Sequence, residues 1–282
     1  AKDAVDEMLT KSAAALEDEP GQHALRQEIL RAAQRHYATL VSDRPDDPEL
    51  QREMGRAWHR LGEINRSLDE VDEATTAFKR GISILKELLQ KNPDDAELKQ
   101  QLAETHDRLG ENYRTLEKNS DAEKQFDLAL SLLADLLAAD PDKREYQVLR
   151  GRTTNNRGLV YDATDRLDEA ADAYSQVIDD LQNLPLADDT RQELARASIN
   201  RGKINTNRIQ AEAELLAIAR DDYLRAVSLL EKLRESRPKK STYRLDLCRA
   251  HLALGNLHVR DRQNRDLEKA CLLYTSPSPR DR

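Results

Sequence analysis

Cys248, His251 and His258 are the residues of this chain that come nearest, by type and spacing, to a metal site. Thiolate and imidazole groups are common zinc ligands, and one face of a helix would carry all three. A metal site needs three or four ligands that converge on one point. The same helical phase holds Trp58 and Gly62 earlier in the chain. We therefore interpret this face as a helix-packing surface, and we predict neither a metal nor a cofactor.

The sequence contains no motif for nucleophilic catalysis or phosphate binding. Its glycines do not cluster as in a phosphate loop, and neither a Gly-x-Ser-x-Gly elbow nor His-Glu-x-x-His occurs. Asn65-Arg66-Ser67 fits a glycosylation sequon, but its helical surroundings favour a chance match. The paired carboxylates at 179–180 and 188–189 are typical of solvated helix ends. We predict that this chain is not an enzyme.

The composition is that of long amphipathic helices with an acidic surface. Of 282 residues, 35% are charged and 4% aromatic, and the formal net charge is −8. A nucleic-acid backbone is bound by a basic surface, so we predict no nucleic-acid partner. No apolar run reaches about 18 residues, so we predict no direct membrane insertion. Two cysteines exclude a disulfide framework.

A proline followed seventeen positions later by a glycine occurs five times along the chain. The pairs are Pro45/Gly62, Pro93/Gly110, Pro141/Gly158, Pro185/Gly202 and Pro238/Gly255. Successive glycines are 48, 48, 44 and 53 residues apart. Such a period predicts a helical repeat protein in which each repeat contacts its neighbours.

Each repeat is predicted to contain two helices, which we call A and B. In the first repeat, helix A covers about Pro48–Leu68 and helix B about Val71–Lys91. The glycine lies inside helix A, where it costs roughly 1 kcal/mol relative to alanine. We therefore expect a neighbouring helix to approach it closely. Leu25–Val41 is predicted as a lone B-type helix, and residues 1–18 as a further helix.

The small and aromatic residues of these repeats resemble the tetratricopeptide (TPR) repeat. The matching residues are Trp58, Gly62, Ala74 and Phe78; then Gly110, Tyr113, Ala122 and Phe126; then Gly158, Tyr161, Ala170 and Tyr174. Gly202 and Gly255 keep the position in the last two repeats, where Asn205 and His258 replace the aromatic residue of helix A. The TPR period is 34 residues, whereas the period here is about 48. HEAT and armadillo repeats match the period better, but they lack small and aromatic residues at these positions.

The resemblance implies an all-α, right-handed α-solenoid of antiparallel helix pairs over residues 45–270. Residues 1–44 would be helices that lead into it. The repeats would cover about 45–92, 93–140, 141–184, 185–237 and 238–270.

In TPR proteins the A helices line a concave groove, and the resemblance implies a groove that binds a protein or peptide here. Groove positions would lie three residues before, and one and four after, each glycine. They are His59, Glu63, Arg66, Asp107, Glu111, Arg114, Asn155, Asp162 and Lys203. TPRs that clamp a chaperone carboxylate carry Lys, Arg and Asn at the inner positions. Glu63 and Glu111 would repel a carboxylate, so we predict no such clamp.

A row of arginines stands six residues before four of the glycines. They are Arg56, Arg152, Arg196 and Arg249. Two interpretations are open: the row meets an acidic or backbone-carbonyl partner, or each arginine pairs with neighbouring Asp or Glu on a solvated face.

The segment before the repeats has a resemblance of its own. Residues 4–10 (AVDEMLT), 17–21 (EDEPG) and 25–30 (LRQEIL) resemble the stretch that follows the membrane span of planctomycete-type bacterial serine/threonine kinases. This implies the sensory or partner-recruiting region of a membrane kinase, facing away from the cytoplasm, although the chain contains no kinase motif. The alternative is a free-standing cytoplasmic TPR adaptor.

The C-terminal residues leave the repeat pattern. Residues 271–281 (CLLYTSPSPRD) resemble one reading frame of a widely used transposase sequencing adapter. We therefore exclude 271–282 from the fold and expect a fragment that lacks both natural ends. A disordered Ser/Pro tail is the alternative.

Overall fold

The computed structural model describes residues 23–40, 48–207 and 213–260. Within these ranges the chain forms ten α-helices and no β-strand. The helices are α1 (His23–Leu40), α2 (Pro48–Ser67), α3 (Val71–Lys91), α4 (Ala96–Thr115), α5 (Asn119–Ala139), α6 (Arg144–Ala163), α7 (Leu167–Leu181), α8 (Asp188–Asn207), α9 (Ala213–Ser236) and α10 (Ser241–Arg260). The helix expected over residues 1–18, the end of the fifth repeat and the tail 271–282 lie outside the described residues.

The even-numbered helices are the A helices, and α3, α5, α7 and α9 are the B helices. In the first pair, Gly62 of α2 lies against Phe78 of α3, whereas Gly55 lies against Leu85. The earlier residue of α2, Gly55, contacts the later residue of α3, Leu85, so the two helices are antiparallel. The predicted all-α fold of antiparallel helix pairs is confirmed.

Proline and aspartate set the boundary between one repeat and the next. Helix α3 ends before Asn92, because Pro93 disfavours the helical conformation in the residue before it. Helix α4 then begins after Asp95, whose carboxylate accepts a hydrogen bond of 3.0 Å from the backbone N–H of Leu98. This is an N-cap, which satisfies one of the free N–H groups of the first turn.

The turn from helix A to helix B has the same backbone form in three repeats. Asp69, Glu117 and Asp165 have φ values of 60°, 58° and 60°, in the left-handed region. After α4, the N–H of Lys118 donates to the carbonyl of Tyr113 at 2.9 Å. This six-to-one bond is a Schellman C-cap, which ends the helix with a left-handed residue.

The repeated glycine of helix A makes room for an aromatic ring of helix B. A Cβ built on each glycine would lie 2.5 or 2.6 Å from ring Cε1 of that residue. The pairs are Gly62/Phe78, Gly110/Phe126, Gly158/Tyr174 and Gly202/Tyr223. The four rings are buried, so a larger residue at the glycine would meet a ring that cannot move into solvent.

The chain divides into two compact units, Ala1–Thr153 and Thr154–Arg282, and the division falls inside α6. In the first unit Phe78, Leu85 and Phe126 are fully buried between the helices. In the second, Tyr174 and Leu230 are equally buried. Among the described residues, no helix has both the length and the apolar character that a membrane span requires.

Candidate functional site

The A helices of the first unit lie side by side and run in the same direction. Arg52 of α2 contacts Asp95 before α4, with Nη2 and Oδ2 2.7 Å apart. In the middle of the helices, His59 Nδ1 lies 3.0 Å from the hydroxyl of Thr105. Since contacts advance along both helices together, their polar side chains form one surface. We call this polar surface of the A helices the A face.

Glutamates at the C-terminal half of the A face are each held by two arginines. Glu63 lies 3.0 Å from Arg60 and 3.5 Å from Arg108. Glu111 lies 3.0 Å from Arg108 and also pairs with Arg66. Burial acts to raise the pKa of Glu111, but Arg108 and Arg66 outweigh it and lower that pKa to about 2.

This arrangement changes the expected role of the two glutamates. From the sequence, Glu63 and Glu111 are expected to be free negative charges that repel a carboxylate. Their charges are instead balanced by arginines, because helix packing brings Arg108 of α4 between them. Repulsion by these glutamates therefore gives no reason to exclude an acidic partner.

Asp107 and Asn155, which we expected to face a partner, are instead buried between A helices. The carboxylate of Asp107 is fully buried and accepts a hydrogen bond of 3.1 Å from Arg152 Nε. In the second unit, Asn155 Oδ1 accepts a hydrogen bond of 3.0 Å from Asn200. The position three residues before the glycine meets the next A helix, which covers it in both cases.

The arginine row pairs with carboxylates of the same and neighbouring helices. Arg56 donates to Glu53 at 2.9 Å and also contacts Glu97. Arg196 Nε lies 3.0 Å from Asp246, whose side chain is buried. These contacts are those of the second interpretation, pairing with neighbouring Asp and Glu, and the acidic partner of the first interpretation stays a prediction. The partners Asp107 and Asp246 are buried, so the row does not lie on a solvated face alone.

Two other expected groove residues differ in how they are engaged. Lys203 Nζ lies 2.7 Å from Asp162, and this pair also joins neighbouring A helices. Arg114 is the exception: its side chain has no hydrogen bond or ion pair with the described part of the chain, and its Nε is buried. Arg114 lies in the last turn of α4, half-buried at the edge of the A face.

Cys248, His251 and His258 all lie on α10. Cys248 is a half-buried free thiol. Within residues 23–40, 48–207 and 213–260, no three His, Cys, Asp or Glu side chains come close enough to hold a metal ion.

The contacts between A helices are a feature that sequence reasoning missed. Arg66 and Glu111, Asp107 and Arg152, and Asn155 and Asn200 are each separated by 45 residues. A search for complementary polar residues at a separation close to the repeat period could have found them. The bidentate pair of Arg201 and Asp222 inside the second unit was also missed.

Stacked antiparallel helix pairs with a polar A face define a helical-repeat protein, an α-solenoid of helix pairs. Residues 21–81 match the family described as tetratricopeptide repeat. A comparison with curated protein sequences found no match.

Solved structures share this fold at low sequence identity. BtubC from P. vanneervenii is 15% identical with a TM-score of 0.58, covering 96% of this chain and 91% of that one. A Podosopora anserina kinesin light chain with nearly identical TPR-like repeats is 15% identical with a TM-score of 0.50, covering 77% and 93%. Aspartyl phosphate phosphatase F from Bacillus subtilis is 14% identical with a TM-score of 0.53, covering 87% and 63%. At these identities the likeness shows the fold, an α-solenoid of helix pairs.

Proposed function

We propose that this chain is a non-catalytic interaction module that binds a protein or peptide partner on the A face. The observation that carries this proposal is the network of contacts that orders the A face. Arg66, Arg108 and Glu111 hold one another in place while the arginines keep part of their surface exposed. A surface that is already ordered loses little side-chain entropy when a partner binds.

A peptide selection with site-specific crosslinking tests this proposal. Binders are selected from a random peptide display library on the full chain. A benzophenone photocrosslinker then replaces either Arg60, exposed on α2, or Lys86, exposed on the B helix α3. Selected peptides should crosslink from position 60 and not from position 86. Equal crosslinking from both positions, or a library that yields no binder, contradicts the proposal.

The finer proposal is that the module belongs to a bacterial membrane serine/threonine kinase and recruits or senses a partner for it. The support is the resemblance of residues 4–10, 17–21 and 25–30 to the segment that follows the membrane span in such kinases. The upstream reading frame tests it. An apolar span of about 20 residues, preceded by His-Arg-Asp and Asp-Phe-Gly motifs, is expected. A frame without them leaves the free-standing TPR adaptor as the function.

A further inference from the structure

An arginine-rich patch lies on the A face of the first unit. Arg60, Arg66, Arg108 and Arg152 surround the carboxylates Glu63, Asp107 and Glu111. Arg114 lies in the last turn of the same helix as Arg108, and the charge of Glu104 acts on His59 beside Glu63. Five arginines against four carboxylates leave an excess of one positive charge. This local excess is opposite in sign to the net charge of −8 of the whole chain.

The carboxylates of the patch are turned inward, whereas several arginines remain accessible. The Asp107 side chain is 0% exposed and that of Glu111 is 16% exposed. By contrast, the Arg60 side chain is 52% exposed and that of Arg66 is 34% exposed. A guanidinium has five N–H donors, so a single carboxylate contact leaves donors for a further acceptor. The surface that a partner meets is therefore more positively charged than the number of arginines and carboxylates alone indicates.

Arg114 is the member of the patch whose charge is not balanced by an ion pair. The equivalent residue one repeat earlier, Arg66, pairs with Glu111, which stands one residue after the second glycine. Arg114 has no such pair within the part of the chain that the structure describes. Arg114 lies in the last turn of α4, where the helix dipole stabilises its positive charge. That interaction uses none of its N–H donors.

We propose that the arginine-rich patch binds an acidic segment of a partner protein, with Arg114 as the guanidinium that takes a carboxylate. This inference rests on the proposed function of the A face. Arginine binds carboxylates through paired, charge-assisted hydrogen bonds, and complementary charge selects the partner. A short acidic segment meets only the patch, whereas a nucleic-acid backbone would also meet the acidic remainder of the chain.

Fluorescence anisotropy of labelled decaglutamate with the full chain tests the proposal. A decalysine peptide and a ten-nucleotide oligothymidylate serve as the cationic and nucleic-acid probes. Decaglutamate should bind more tightly than either, and its affinity should fall between about 50 mM and about 300 mM salt. The change Arg114→Glu should weaken binding by about tenfold or more, because it removes a charge-assisted hydrogen bond and places a like charge beside the peptide.

Arg234→Glu is the matched control for this experiment. Arg234 is exposed in the last turn of α9, so the control makes the same charge change at the end of another helix. Its affinity for decaglutamate should stay within about twofold of the unchanged chain. Thermal unfolding of both variants shows whether the fold is retained, and Arg114→Gln, which removes the charge without reversing it, gives a milder second variant.

Three results would overturn the proposal: no binding of decaglutamate, equal weakening by the two charge reversals, or tighter binding of the oligothymidylate. Its failure is distinguishable from failure of the proposed function. If library-selected neutral peptides crosslink from position 60 while decaglutamate does not bind, the A face binds partners but the acidic class is wrong.

Discussion

The aromatic ring of Phe78 occupies the space that a side chain on Gly62 would need. Ring atom Cε1 lies 2.5 Å from the position of a Cβ built on that glycine, and Phe78 is fully buried. The same relationship recurs in the next three repeats with Phe126, Tyr174 and Tyr223. It explains why glycine stands at one helical phase despite its poor helix propensity.

Gly62→Ala should therefore lower the free energy of unfolding, by about 1–3 kcal/mol, as is typical of an overpacked core. The loss should occur although alanine favours an exposed helix by about 1 kcal/mol over glycine. Urea unfolding followed by the fluorescence of Trp58, the single tryptophan, measures it in the same repeat.

Gly81→Ala is the internal control for this prediction. A Cβ on Gly81 would have its nearest neighbour at 3.4 Å, which is an ordinary contact. This change should leave stability unaltered or raise it slightly. If Gly62→Ala and Gly81→Ala unfold at the same urea concentration, the ring of Phe78 is not the reason that a glycine stands at position 62.

Glu117→Gly should stabilise the turn between α4 and α5. Glu117 has a φ of 58°, a conformation that costs a residue with a Cβ about 1 kcal/mol and costs glycine almost nothing. We expect the free energy of unfolding to rise by about 0.5–1 kcal/mol, measured by urea denaturation. Lys118→Gly is the comparison, because Lys118 has a φ of −82°. It should destabilise, and a gain for Lys118→Gly equal to that for Glu117→Gly would rule out backbone strain as the cause.

The ion pair of Arg201 and Asp222 should be strongly coupled. Its two N–O distances are 2.8 and 2.7 Å, and Asp222 is 1% exposed. Arg201→Met leaves a buried carboxylate without its cation, so we expect a loss of about 3–5 kcal/mol. The double change Arg201→Met with Asp222→Leu should recover much of this loss, as thermal unfolding can show. A double variant as unstable as the single one would mean that the site contributes by packing alone.

Stability should fall in mild acid because of His106. Burial lowers the pKa of His106 to about 4, and the hydrogen bond with Gln125 opposes this only in part. The unfolded chain takes up the proton near pH 6.5, so the contribution of His106 is complete above that pH and is lost as pH falls toward about 4. Between about pH 7 and about pH 5, the expected loss is about 2 kcal/mol.

His106→Gln checks this prediction, because glutamine does not titrate. Urea unfolding at both pH values should show a smaller loss for the variant than for the unchanged chain. Burial also lowers the pKa of His59 and His251, so the variant should keep part of the dependence. An identical loss in both chains would assign the effect to other groups.

The helices of the first repeat show how far the sequence could lead. Helix α2 was expected over about Pro48–Leu68 and is observed at Pro48–Ser67. Helix boundaries depend on residues close together in the chain, such as Asn92 and Pro93 at the end of α3. The left-handed turn residue Glu117 was not predicted, because glutamate is not a residue that signals this conformation.

The polar partners on the A face could not be assigned in the same way. Asp107 has the same position relative to its glycine as His59, yet Asp107 is fully buried and His59 is partly exposed. Asp107 meets Arg152 of the next A helix, whereas His59 meets the smaller Thr105. A residue 45 positions away decides this burial, so the local pattern does not contain it.

The sequence by itself determined that the chain is a series of helix pairs, and it marked where glycine must be approached closely. These properties follow from helical periodicity and from the cost of glycine in a helix, which act over a few residues. Tertiary structure alone decided which charges are balanced and that Arg114 is not. Each A helix meets the next in a register set by core packing, and that register determines whether a cation finds a carboxylate, as Arg66 finds Glu111.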